Sequence, residues 1–110
     1  MTTSYIFTDR SALDTAVEAW ITDEAAAIET YGDINTWDVS AITDFSELFK
    51  NKTEFNSDIS NWDVSNGTDF SSMFEGNRDF NQDIGDWDVS NGTDFNYMFE
   101  NTVSFNQNLS

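Results

Sequence analysis

Ile59-Ser60-Asn61-Trp62-Asp63-Val64-Ser65-Asn66-Gly67-Thr68-Asp69-Phe70-Ser71-Ser72-Met73-Phe74 is the stretch whose reading decides the fold. It recurs with a period of 25 residues. Trp37-Asp38-Val39-Ser40 and Trp87-Asp88-Val89-Ser90 repeat its centre, and Thr43-Asp44-Phe45 and Thr93-Asp94-Phe95 repeat its end. Phe49, Phe74 and Phe99 share a register, as do Phe55, Phe80 and Phe105. Ile34, Ile59, Ile84 and Leu109 share another. Residues 55–79 and 80–104 agree at 16 of 25 positions, far more than chance allows, so the chain is an internal repeat.

Within one unit the apolar spacing predicts the elements. Trp62 and Val64 lie two apart, on one face of an extended strand. Ile59-x-x-Trp62-x-Val64 has the L-x-x-L-x-L spacing of a leucine-rich repeat. Asn66-Gly67 signals a turn. Phe70, Met73 and Phe74 stand at i, i+3 and i+4, the face of a short helix that Thr68 or Asp69 would cap. The expected fold is an α/β solenoid: a right-handed, leucine-rich-repeat-like stack of coils, with a short parallel sheet and short helices. Its inward ladder would comprise Trp37, Trp62, Trp87; Val39, Val64, Val89; Phe45, Phe70, Phe95; Phe49, Phe74, Phe99; Phe55, Phe80, Phe105; and Ile34, Ile59, Ile84.

Residues 1–31 differ and read as a strand-and-helix N-terminal cap. Ser4-Tyr5-Ile6-Phe7 predicts a short strand. Thr8 or Asp9 would cap a helix with Leu13, Val17, Trp20 and Ile21 on one face. Asp23-Glu24 opens a second helical stretch that Gly32 stops. Residues 32–110 then hold three repeats and the start of a fourth. The last unit reads as uncapped, so either a longer array or a dimer through the open C-terminal coil is expected.

Composition narrows the chemistry. The 110 residues hold 21 acidic and 4 basic side chains, a net charge of -17, with no Cys, His or Pro. Disulfides, thiolate zinc sites and His-based acid–base catalysis are excluded. A field this negative disfavours nucleic acid and anionic membranes. No apolar run approaches the roughly 18 residues of a membrane span, and no secretion signal stands in the first 20 residues.

The repeat resembles the BspA-like leucine-rich repeats of bacterial surface proteins, also known as the mycoplasma lipoprotein repeat. That unit runs roughly F-N-Q-D-I-S-N-W-D-V-S-N-V-T-D-M-S-x-M-F. Phe80-Asn81-Gln82-Asp83-Ile84, Asp58 through Asn66, Thr68-Asp69 and Met73-Phe74 match it. Gly67 and Gly92 depart from its apolar residue, which Ile42 keeps, and Phe45, Phe70 and Phe95 depart from its Met. A bulkier Phe beside a missing side chain conserves volume. The resemblance implies a surface-displayed solenoid for adhesion or interaction, without enzymatic activity.

Stacked units would set Asp38, Asp63 and Asp88 in one column and Asp33, Asp58 and Asp83 in another. Carboxylates about 4.8 Å apart invite a hard cation such as calcium. No D-x-D-x-D-G loop is present, and solvated acidic surface is the simpler reading. The Trp column reads as core rather than a sugar-stacking platform. Asp44, Asp69 and Asp94 read as helix caps, and Asn56, Asn81 and Asn106 as an asparagine ladder. The expected function is a non-catalytic, surface-exposed module for adhesion, binding a protein or glycan, with no cofactor. A phage or virus particle component and a calcium-dependent assembly module are the alternatives. The expected location is extracellular, at a cell surface or on a viral particle.

Overall fold

Asp9 accepts the amide of Ala12 at 2.8 Å and caps the first helix, α1 (Arg10–Thr22), in the computed structural model, which describes residues 4–106. Leu13, Ala16, Val17 and Trp20 form its buried face. Ile21, expected on that face, is instead exposed, and Ala16 takes its place. Asp23 accepts from the amide of Ala26 and caps α2 (Glu24–Tyr31). Gly32, at φ 79°, ends α2 with a left-handed step that a side chain would resist. Tyr5 and Phe7 exchange backbone hydrogen bonds with Asp38, which forms only an isolated parallel bridge at Ile6.

The repeats contain neither the expected strand nor the expected helix, and the α/β solenoid of leucine-rich type is overturned. Among the described residues the only other pairings are isolated bridges, Asp44 to Asp69 and Asp69 to Asp94. Ile34–Thr36 is a single 3-10 turn; the rest of each repeat is a chain of turns. The molecule is a small globule of 35 × 27 × 23 Å. Leu109 and the rest of residues 107–110, with the bulk of the expected fourth unit, lie outside the described residues.

Hydrogen bonding explains why no helix forms after Thr68. The amides of Met73, Glu75 and Asn77 donate to the carbonyls three residues back, at Phe70, Ser72 and Phe74. The alternate amides, of Phe70, Ser72, Phe74 and Gly76, donate outward to Asp94, Asn96, Met98 and Glu100 of the next repeat at 2.8–2.9 Å. The previous repeat does the same: Phe45, Glu47, Phe49 and Asn51 donate to Asp69, Ser71, Met73 and Glu75. Half of the amides a helix would need are thus given to a neighbour.

This geometry places left-handed residues at fixed positions. Glu47, Ser72 and Tyr97 have φ of 59°, 57° and 60°. Asn51, Gly76 and Asn101 have φ of 63°, 75° and 62°. A turn with positive φ at its third residue reverses the chain, and one such residue breaks a right-handed helix. Glu47, Ser72 and Tyr97 carry side chains that disfavour this conformation, so packing imposes it.

The packing is aromatic. Phe45 and Phe70 stack at 5.5 Å, Phe70 and Phe95 at 5.3 Å, Phe49 and Phe74 at 5.5 Å, and Phe55 and Phe80 at 5.9 Å. Helices pack at axis separations of about 8–10 Å, whereas hydrogen-bonded extended chains lie about 4.8 Å apart. Rings in register near 5.5 Å therefore exclude helices in those positions. The i, i+3, i+4 spacing of Phe70, Met73 and Phe74 is satisfied by consecutive turns, which bring the same three side chains inward.

The expected strand segment fails for another reason. Trp62 and Gly67 donate back to Ile59 and Val64, which makes tight turns rather than an extended run. Units connect here through side chains. The Trp62 indole Nε1–H donates to the Ile34 carbonyl at 2.7 Å, and that of Trp87 to Ile59 at 3.1 Å. Asn66 and Asn91 donate to the carbonyls of Ser40 and Ser65.

Asn77 shows what one such side-chain link costs. It is fully buried and donates to the carbonyls of Phe49 and Lys52, while its Oδ1 has no partner among the described residues. At the same register Thr102 donates its hydroxyl to Phe74 at 2.9 Å. Asn77→Thr keeps one donor and removes the orphan oxygen, so urea melts should show stability unchanged or raised by about 1 kcal/mol. Asn77→Leu removes two side-chain hydrogen bonds, though the Phe49 and Lys52 carbonyls keep the amides of Lys52 and Phe55, and should lose about 1–3 kcal/mol.

Candidate functional site

Aspartates of the repeats share one local device. In Asp38, Asp44, Asp58, Asp63, Asp69 and Asp88, Oδ1 accepts the amide of a serine two residues on, at 2.9–3.0 Å. Asp33, Asp83 and Asp94 do the same to Asn35, Gly85 and Asn96. Each is an Asx turn, a short polar side chain standing in for a backbone carbonyl. In Asp38, Asp44, Asp63 and Asp69 the serine hydroxyl donates as well. Asp44, Asp69 and Asp94 were expected to cap helices; they satisfy the expected amides, but no helix follows.

The hydroxyl of Ser40, then its amide, holds the Asp38 carboxyl below the ordinary aspartate range. At Asp58 the amide of Ser60 leads and its hydroxyl follows. At Asp88 the hydroxyl of Ser90 leads, then its amide. The folded protein thus prefers these three groups ionised. A depressed aspartate contributes stability at neutral pH and loses it as pH falls through the folded-state value. Melting temperature should therefore drop on acidification below the ordinary aspartate range. Asparagine keeps the Oδ1 acceptor and has no such titration. The triple variant Asp38→Asn/Asp58→Asn/Asp88→Asn should show a shallower acid limb in melts from pH 6 to pH 2. At neutral pH it should melt lower than the parent, because the contribution of the ionised carboxylates is gone, and the two should converge as pH falls through the depressed range.

The two predicted columns occupy the surface. Asp33, Asp58, Asp63, Asp83 and Asp88 are exposed and Asp38 is half-buried. For Asp33, Asp38, Asp63 and Asp83 the second carboxylate oxygen has no partner among the described residues and is free for an outside ligand. A surface groove of about 420 Å³ runs along the first column, with Asn35, Asp38, Ser40, Asn61 and Asp63 on its walls. Among the described residues no three acidic side chains converge to hold a metal ion. Side-by-side turns present the carboxylates as a row, each aimed outward, rather than as a cage.

Other predicted positions lie inside. Ile34, Ile59, Ile84, Trp37, Trp62, Val39, Val64, Phe45, Phe70, Phe49, Phe74, Phe55 and Phe80 are buried. Trp37 and Trp62 are 2% and 3% exposed, which leaves no ring face for a sugar. In the last repeat Trp87, Val89, Phe99 and Phe105 are only partly covered, and Phe95 is 42% exposed. Asn56 and Asn81 accept the amides of Asn81 and Asn106, one repeat on, at 2.8 and 2.9 Å.

The architecture of these 25-residue turns has a counterpart in sequence. The family described as Mycoplasma protein of unknown function, DUF285, matches residues 23–110. The chain belongs to this family. The DUF285 segment starts at Asp23, the cap of α2, and takes in all three repeats while leaving out α1. No curated protein and no solved structure matches the chain.

Two features escaped the sequence reading. The spacing Asp-x-Ser, six times over within the repeats, is itself the signal for Asx turns. The basic residues, few as they are, each have a carboxylate partner. Arg10 bridges Asp14 and Asp44, and Lys52 bridges Glu18, which ties α1 to the first repeat. Lys50 meets Glu47 and Glu75, and Arg78 meets Asp79. The columns of Asp38 and Asp58 are left without a counter-charge from the chain's own basic groups.

Proposed function

We propose that the DUF285 chain is a non-catalytic module, exposed at a cell surface, that binds a protein or glycan through its acidic rows. The observation that carries this reading is the Asx-turn geometry. One oxygen of Asp33, Asp38, Asp63 and Asp83 is fixed by backbone, so the other is presented rigidly outward at no further ordering cost. Pre-ordered like charges favour a partner with lysines or arginines at matching spacing, or a polar glycan in the groove beside Asn35 and Asn61. The repeat's likeness to BspA-like bacterial surface repeats supports surface display. The chemistry on hand supports a non-catalytic role, since carboxylates are tied into turns and the sequence has no His or Cys.

The test is binding to a glycan array and a panel of lysine- and arginine-rich peptides. The variant Asp38→Asn/Asp63→Asn/Asp88→Asn should bind at least about tenfold more weakly while keeping the parent's pattern of amide protection. Rising salt should weaken the parent's binding. Equal binding by parent and variant would refute the role of the rows.

A further inference from the structure

We propose that Asn66–Gly67 is a self-modification site. Its asparagine side chain loses ammonia once the joint between the first two repeats opens, and that loss weakens the joint. Asn91–Gly92 repeats the arrangement between the second and third repeats. This goes beyond the acidic rows and concerns the joints between repeats.

Two separate demands place these residues side by side. Packing demands glycine. A Cβ at position 67 would lie 2.5 Å from Phe70 Cζ, and one at position 92 would lie 2.3 Å from Phe95 Cζ. The joint demands asparagine. Asn66 Nδ2 donates to the Ser40 carbonyl at 2.6 Å, and Asn91 Nδ2 to the Ser65 carbonyl at 2.7 Å. Of the chain's asparagines only these two precede glycine. The first repeat has Ala41 and Ile42 at the same registers and carries no such step.

The chemistry needs only water. The Gly67 nitrogen, unhindered by a side chain, gives its proton to a solvent base and attacks Asn66 Cγ. A bond forms between that nitrogen and Cγ, the bond from Cγ to Nδ2 breaks, and ammonia leaves with a proton from solvent. The resulting five-membered imide adds water at either carbonyl and opens to aspartate or isoaspartate. One water is consumed, one ammonia is released and one carboxylate is gained. Asparagine counts among the thermally labile residues.

The fold engages the reacting atoms. The Gly67 N–H donates to the Val64 carbonyl at 2.8 Å, and Asn66 Nδ2 is held on Ser40. Asn91 grips the Ser65 carbonyl, one peptide back, from the other side. The Asn66 side chain is exposed but Gly67 is buried, so water reaches the amide while the attacking nitrogen is shielded. The bonds of Gly67 and Asn66 must open together before the ring closes. Such local opening populates a small fraction of molecules. The product cannot restore the joint. A carboxylate facing the Ser40 carbonyl has no hydrogen to donate, and it adds to a charge of -17.

The experiment incubates the whole chain at mildly alkaline pH, with and without unfolding urea, and maps its peptides by mass spectrometry. Asn66 and Asn91 should convert to aspartate and isoaspartate in urea. In the folded chain Asn66 should convert at least about a hundredfold more slowly. The variant Asn66→Gln keeps a donor but would need a larger ring, and should stay intact at position 66 in urea. The variant Asn66→Asp, which carries the product, should melt at least about 2 °C below the parent at neutral pH. Asn66 left intact in urea would overturn the proposal, as would equal rates in the folded and unfolded chain. Conversion of the Asn66→Gln side chain at the parent's rate would overturn the ring-closing route. Melting of Asn66→Asp at the parent's temperature would overturn the weakening of the joint.

Discussion

Replacing Phe74 by alanine should unfold the protein at ordinary temperature or bring it close. Phe74 is fully buried and touches more rings than any neighbour in the stack. Phe49 lies at 5.5 Å, Phe80 at 4.3 Å, Trp87 at 6.2 Å and Phe99 at 5.6 Å. Truncation removes the buried area and leaves a void lined by rings that cannot collapse without breaking the backbone bonds between repeats. Such losses run to about 3–5 kcal/mol, a large part of the roughly 5–15 kcal/mol that holds a small domain together. The melting midpoint should fall by at least about 12 °C. Phe99→Ala, at the same register but partly uncovered, should cost less than half as much. Equal losses at the two positions would contradict the packing described.

The second large effect is expected at Gly67. A Cβ built there lies 2.5 Å from Phe70 Cζ and 2.9 Å from Phe45 Cδ2, so two rings of one stack close on the position. Neither ring can swing away, because Phe45 and Phe70 are parallel to within 6° and fully buried. Gly67→Ala should therefore destabilise by about 1–3 kcal/mol through overpacking alone. The exchange of an apolar side chain for glycine, against methionine for phenylalanine, has its physical basis here. The Phe70 ring tip occupies the space a side chain at position 67 would fill. Shortening that ring tests the account: the double variant Gly67→Ala/Phe70→Leu should lose less than the sum of the two single variants. A denaturant double-mutant cycle giving strict additivity would sever the link between the two positions.

Much of this was legible before any coordinates. The period of 25 residues, a cap of α1 at Thr8 or Asp9 and of α2 at Asp23, and the grouping of aspartates by register follow from residue spacing alone; the structure selects Asp9. The local conformation of the repeat did not follow. Phe70, Met73 and Phe74 satisfy a helix and a run of three-residue turns equally well, and only the approach of Phe45 and Phe95 on either side decides between them. Ser72, Glu47 and Tyr97 carry no sign of a left-handed backbone, since glycine or asparagine would be expected there. Trp62 and Val64 alternate as in a strand, yet the indole, rather than the backbone, makes the link to the preceding repeat.

The candidate site divides in the same way. That the aspartates form rows was readable from their spacing. That each is tied to the second amide along, with one oxygen left outward, was also written in Asp-x-Ser, but was eclipsed by the helix expected after Thr43, Thr68 and Thr93. Electrostatics adds a check: with a charge of -17 and every basic residue already paired, added sodium chloride should raise the melting temperature.

Amide hydrogen exchange of the isolated chain, read residue by residue, tests the central claim most directly. The account predicts protection at Phe45, Glu47, Phe49, Asn51, Phe70, Ser72, Phe74 and Gly76, all of which donate to the next repeat, and fast exchange at Phe95, Tyr97, Phe99 and Asn101. Ser72 should also show the short intraresidue distance between its amide and Hα protons that positive φ creates. Uniform protection of Ser71 through Gly76 without positive φ at Ser72 would mean a helix. Continuous protection across Ile59–Val64 would mean a strand. Either result would contradict the turn architecture on which the aspartate rows stand.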